Sequence, residues 1–162
     1  YRWSLDLKIS SLKKEIIFIG LNPSKSNQSL LDNTTIKIIK ICNKYNYGNI
    51  KLINLFGLVS ISPKLLQVHH DPIGFLNNKV IEKNISYWSK SNNCDLWLGW
   101  GNKGTLYDRD IKVYEFIKKY ISIKKKYFSR NYKPLFIKKT MHNNPIHPLY
   151  CKDNSKLVKL NF

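Results

Sequence analysis

The stretch EIIFIGLNPS, Glu15 to Ser24, decides how the rest of the chain is read. Ile16 to Ile19 form an apolar run that suits a strand covered on both faces and is too short for a helix. A stiff turn follows. Gly20 admits backbone conformations that other residues avoid, Pro23 fixes its own φ, and Asn22 is held between them with its amide free to leave the sheet. From this segment alone, an ordinary βα turn accounts for the same residues equally well, because Gly, Asn, Pro and Ser populate such turns for conformational reasons.

Three further segments share the character of the first: Ile50 to Phe56 (IKLINLF), Cys94 to Gly99 (CDLWLG) and Pro134 to Lys138 (PLFIK). Helical periods lie between them. Asn33 to Tyr45 opens on Thr34 and Thr35 as caps and spaces Ile36, Ile39 and Cys42 along one side. Ile73 to Trp88 follows the Asp71-Pro72 turn and sets Phe75, Val80, Ile81, Ile85 and Trp88 on one face. Leu106 to Ile121 does the same with Val113, Phe116, Ile117 and Tyr120. Strand and helix in alternation predict an α/β fold: a three-layer α/β/α sandwich around a central four-stranded parallel sheet. Such sheets bind ligands outside the carboxyl ends of their strands. The opening YRWSLDLKI alternates as an extra N-terminal edge strand would, and residues 152–162 read as a polar tail. With 162 residues, 43% of them hydrophobic, the chain supports one domain, 1–162.

Twenty-eight Lys and Arg against ten Asp and Glu give a formal charge of +18. That much repulsion is expected where a polyanion is the partner, so DNA leads, with structured RNA behind it. An A/T-rich genome, which enriches Lys, Asn and Ile whatever the function, explains part of the same composition. Lys124-Lys125-Lys126 with Arg130 and Lys133 is the densest run and reads as a solvated loop, with phosphate contact as its functional alternative. No apolar stretch approaches the roughly 20 residues that span a bilayer, and no lysine-lined amphipathic helix suits a membrane surface. The expectation is an intracellular, cytoplasmic, nucleoid-associated monomer. Cys42, Cys94 and Cys151 stand far apart without CxxC or Cys/His spacing, so no metal, iron–sulfur group or other cofactor is expected.

Two polar residues stand out near strand ends. Asn54 interrupts an apolar strand, and its amide must either bond neighbouring backbone or face a ligand. His147 precedes a proline just after the fourth strand and so reaches the same sheet edge. His69 and His70 read as solvated residues at the rim.

The ordered motifs GLNPS, INLFGLVSISP, HHDPIG, LGWG and HPLY, spread from about Tyr1 to Tyr150, resemble a bacterial and phage branch of the uracil-DNA glycosylase superfamily. The resemblance implies a monofunctional DNA glycosylase that extrudes a base from duplex or single-stranded DNA, hydrolyses its N-glycosidic bond and leaves an abasic site. It implies that Asn22 orients the water, Asn54 reads the base edge and His147 hydrogen-bonds the departing base, with Gly20, Leu21, Pro23, Ser24 and Phe56 shaping the pocket. Leu149 or Tyr150 would be the wedge that fills the vacated stack, and Lys25, Ser26, Lys103 and Pro148 would meet DNA. Ser24, Lys25 and Ser26 stand where uracil-specific members carry an aromatic gate. This departure favours a larger, modified base, such as those of phage genomes, and suggests a defence role. The alternatives are a catalytically inactive DNA- or RNA-binding module of the same fold and an enzyme acting on free nucleosides.

Overall fold

The computed structural model describes residues 1–24, 31–129 and 132–161. Strand β2 (Glu15–Gly20) lies inside a six-stranded sheet whose other members are β1 (Leu5–Lys8), β3 (Asn49–Asn54), β4 (Cys94–Leu98), β5 (Leu135–Phe136) and β6 (Val158–Lys159). The spatial order is β1-β3-β2-β4-β5-β6. The middle four strands run parallel, while β1 pairs antiparallel with β3 and β6 antiparallel with β5. The fold is therefore mixed α/β, with the four expected parallel strands at its centre and an antiparallel strand closing each edge. β1 is the anticipated N-terminal edge strand. β6 was not anticipated: part of the supposed polar tail is a strand, and Leu160 just beyond it is buried.

Alternation along β2 divides the core. Ile16 and Phe18 pack on one face with Ile38, Ile41 and Cys42 of α1 (Asn33–Lys44). Ile17 and Ile19 pack on the other with Ile81, Ile85 and Trp88 of α3 (Asn77–Lys90), and with Val113 and Ile117 of α4 (Arg109–Tyr127). Helices thus cover both faces, and each fully buried isoleucine contributes about 1.5–3 kcal/mol of hydrophobic stabilisation.

Several local expectations shift. The cap of α1 is Asp32, whose carboxylate accepts the Thr35 N–H at 2.8 Å, and the buried stripe is Ile38, Ile41 and Cys42 rather than Ile36 and Ile39. The third helix starts at Asn77, because Asp71 caps a turn by accepting from the Gly74 N–H at 2.8 Å; Phe75 falls outside the helix and is 85% exposed. Helix α4 runs on through Lys124, Lys125 and Lys126, so that triplet is a helical last turn and not a loop. Lys124 is buried, its ammonium donating to the carbonyls of Ser91 and Cys94 and lying over the Trp88 ring. Arg130 lies outside the described residues. A short helix, α2 (Leu65–Val68), adds to the connection between β3 and α3.

Two crossovers leave β2 territory in opposite directions: β2 leads to β3 on one side, and β3 then leads to β4 on the other. The carboxyl ends of β2 and β4 consequently flank a topological switch point, where connections diverge and a crevice opens.

Candidate functional site

At that crevice lies a cavity of about 730 Å³. Its floor is the ring of Phe18, held edge-on against Trp97 with centroids 4.9 Å apart. A Cβ on Gly20 would come within 2.9 Å of that ring, and one on Gly99 within 2.6 Å. Both glycines are therefore explained by space. Gly20 is not among the positive-φ residues, which revises the conformational reason expected from its sequence. The floor residue itself escaped sequence reading because Phe18 looks like any core position in EIIFIG.

The loop Leu21–Ser24 forms one wall. It is zipped to the segment after β3: the N–H groups of Leu55 and Phe56 donate to the carbonyls of Gly20 and Leu21, and that of Ser60 donates to Pro23. Asn22 is fixed by its own amide, whose Nδ2 donates to the carbonyls of Ser60 at 2.7 Å and Pro23 at 3.2 Å. Two carbonyl acceptors settle which end of the amide is nitrogen. Its Oδ1 has no donor among the described residues, and Asn22 lines the cavity. Leu21, Pro23 and Ser24 line it as well. Lys25 and Ser26 lie outside the described residues.

Asn54 ends β3 in register with Gly20, its Oδ1 only 2.7 Å from where a Gly20 Cβ would stand. Its side chain enters the cavity lining with no hydrogen-bond partner among the described residues. The strand end that carries it is pinned from behind. Asn77 Nδ2 donates to the carbonyls of Asn54 and Leu55, at 3.2 and 2.6 Å, and Arg109 Nε donates to Leu55 at 2.9 Å. Burial pulls the Arg109 guanidinium down to about 10. Phe56, expected to line the pocket, belongs instead to the core on the other face of the sheet and packs edge-on to Tyr107.

His147 forms the opposite wall. Its Nδ1 accepts the Leu149 N–H at 3.4 Å and so caps the short 3₁₀ turn Pro148–Tyr150. Burial drives the imidazole down to about 4, with the nearby Asp32 carboxylate pulling it partly back. A neutral ring that accepts at Nδ1 carries its proton at Nε2. Gly101, at φ +73°, passes close to the His147 Cβ and donates its N–H to Pro145 at 2.8 Å, fixing this segment to the end of β4. Leu149 and Tyr150 line the rim and are exposed. Lys103 lines the rim too. Pro148 is buried against Gly99 and presents no surface to a ligand.

Two charged cavity residues were also missed by sequence reading. Asp32 faces the cavity from the start of α1; burial raises its carboxyl, but hydrogen bonds from Ser24 and Thr35 and the charge of Arg2 hold it below the usual carboxylate range. Arg2 lines the same end, its guanidinium lowered by burial and partly restored by Asp32. The signal for Asp32 was present in its spacing, an Asp three residues before Thr35 at a helix start. Nothing in the sequence marked Arg2.

The family model described as protein of unknown function (DUF1643) matches residues 2–149. The chain belongs to the DUF1643 family. No curated protein matches it, and no solved structure does. The matched span includes every described lining residue except Tyr150. Among the described residues of this DUF1643 protein, no three His, Cys, Asp or Glu side chains converge as a metal site would require, and no helix is long and apolar enough to cross a membrane.

Proposed function

We propose that the cavity is the base pocket of a monofunctional DNA glycosylase of the uracil-DNA glycosylase superfamily type. The observation that carries this reading is His147, a half-buried neutral imidazole with its remaining proton on Nε2, set in one cavity with the amides of Asn22 and Asn54. In N-glycosidic hydrolysis the C–N bond breaks with its electron pair leaving on the base, while water adds its oxygen to the anomeric carbon. A fixed neutral donor stabilises charge where it develops on the base and, unlike an imidazolium, requires no charged group to be buried. Asn22 Oδ1, turned away from its two carbonyl partners, orients the water. A nearly cationic sugar needs little nucleophilic push, and the ionised Asp32 carboxylate stabilises that cation. The water's proton leaves to solvent.

Phe18 gives a flat apolar floor for a planar ring, and Asn54 offers a donor and an acceptor to its edge. The cavity holds several times the volume of a pyrimidine, with Ser24 in place of an aromatic gate. This supports a modified pyrimidine as the base and, with it, a role against phages that carry one. DNA as substrate places the work in the cytoplasm, at the nucleoid, and the net charge of +18 supplies the electrostatic attraction.

The test is mass-spectrometric detection of free base released from modified and unmodified DNA. Wild type is expected to release base from a modified DNA. Asn22→Ala and His147→Ala each lower that rate by about 10²–10³, the range for removing one positioned polar group. Unchanged release in both variants would falsify the site, and salt-sensitive DNA binding without any release would favour the inactive binding module.

A further inference from the structure

Outside the cavity stands a connected group of aromatic rings that the proposed glycosylase chemistry does not use. Tyr1 stacks on Trp3 with centroids 5.4 Å apart and 13° between planes, and Trp3 meets Phe75 edge-on at 5.9 Å. His69 lies edge-on to Tyr1 and stacks with His70 at 4.4 Å. The group is built into the backbone. Trp3 sits where a Cβ on Gly57 or Gly74 would be, within 2.6 and 2.5 Å respectively, so both residues must be glycine for the indole to lie there. The turn beneath is fixed as well: His69 Nδ1 accepts the Asp71 N–H at 3.1 Å, Asp71 accepts from Gly74, and the Tyr1 hydroxyl donates to the Asp71 carbonyl.

The same two chain segments also wall the cavity. Arg2, between Tyr1 and Trp3, lines it, and so do Ser60, Ile61 and Pro63, a few residues before His69. Phe75 is 85% exposed, and His70 is exposed beside it. Two rings held as openly as these on a chain of charge +18 suit a ligand that is both polyanionic and rich in flat faces. Bases paired in a duplex keep their faces to each other, whereas those of an unpaired strand are free to stack on aromatic side chains.

We infer that His70 and Phe75, held on this ledge by His69 and Trp3, stack the unpaired bases flanking the extruded nucleotide, which makes single-stranded DNA the substrate class. The inference rests on the proposed glycosylase site only for which nucleotide enters the cavity; the stacking itself requires no catalysis.

The experiment measures fluorescence anisotropy of labelled oligothymidine and of its duplex with oligoadenosine, using wild type and the double variant Phe75→Ala/His70→Ala. Both side chains are exposed, so the variant is expected to melt with wild type. Wild type should bind the single strand more tightly than the duplex. The double variant should lose roughly 10- to 100-fold in single-strand affinity, with the salt dependence unchanged, because stacking and not phosphate contact is removed. Duplex preference in wild type, or single-strand affinity unchanged in the variant, would overturn the inference. Unchanged DNA affinity with altered self-association by sedimentation would likewise overturn it and assign the ledge to a protein partner. Binding needs no turnover, so failure to release any base would sink the glycosylase reading while leaving this result standing.

Discussion

The two ends of the parallel strands use similar residues in opposite ways. At the amino end, polar side chains satisfy one another: the Tyr47 hydroxyl donates to Asp95 at 2.6 Å, Lys14 pairs with Asp95 at 3.5 Å, Tyr87 donates to Glu15, and buried Lys124 spends its ammonium on two carbonyls. Burial and the Asp95 carboxylate together push the Tyr47 hydroxyl upward and keep it protonated. At the carboxyl end, the Asn22 Oδ1, the Asn54 amide and the His147 Nε2 face a cavity without partners among the described residues. Hydrogen-bonding capacity left unspent in a half-buried place is costly to a fold unless a ligand uses it. The contrast separates polar groups that hold the molecule together from those offered to something else.

Exchanging the expected effects of the two ends would break the comparison, and the largest effect belongs to Lys124. Lys124→Met keeps most of the volume against Trp88 and Phe128 but leaves the Ser91 and Cys94 carbonyls without their donor. We expect about 2–4 kcal/mol less stability in urea unfolding, with base release per folded molecule unchanged. A loss of release at constant stability would place the amino end in the function. His147 is expected to do the reverse, costing release far more than stability.

The second effect is pH dependence. Because burial lowers His147 to about 4 in the folded chain against an ordinary value near 6.5, the folded state binds fewer protons than the unfolded state between those values. Its contribution is present above about pH 6.5 and is lost as pH falls towards 4, amounting to about 1–2 kcal/mol after allowance for solvent screening. Thermal melts of wild type and His147→Phe should run in parallel above this window, with wild type losing stability relative to the variant as pH falls towards 4. Base release, if it uses the neutral ring, should hold level down to about pH 5 and then fall.

The architecture was legible where periodicity carried it. IIFI of β2 and LWL of β4 are apolar runs without alternation, and such runs mean strands covered on both faces. The sheet's outer strand β6 was not legible, since VK amid lysines has no pattern of its own and acquires strand geometry only by pairing with Leu135–Phe136. Lys124 was misread for a related reason: a lysine triplet looks solvated, yet the helix carries its first member onto Trp88, where the aliphatic stem packs and only the ammonium needs acceptors. Asn22, Asn54 and His147 could be placed at one sheet edge because strand ends in a parallel sheet share an edge by topology. Phe18, Asp32 and Arg2 needed coordinates, as their facing depends on strand alternation, the true helix start and a segment without regular structure.

The smallest effect is the sharpest probe of the boundary between the two ends. Gly20 sits in β2 at the last register position before the cavity, opposite Asn54. A methyl group there would stand 2.7 Å from Asn54 Oδ1 and 2.9 Å from Phe18 Cε1. The carboxamide is the far end of a side chain with open cavity beside it and can swing away, whereas the Phe18 ring is held by Trp97 and can yield only a few tenths of an ångström. Gly20→Ala should therefore fold, losing about 1–3 kcal/mol to the contact with Phe18 while the amide's share of the strain is relieved into empty space. The relief moves the Asn54 amide, which we propose reads the base edge. Base release should fall about 10-fold, mainly through KM, and discrimination between modified and unmodified DNA should narrow. A loss of stability well beyond that range, with base release and discrimination unchanged per folded molecule, would show that Asn54 is held as rigidly as the residues of the amino end, and that its amide is part of the scaffold.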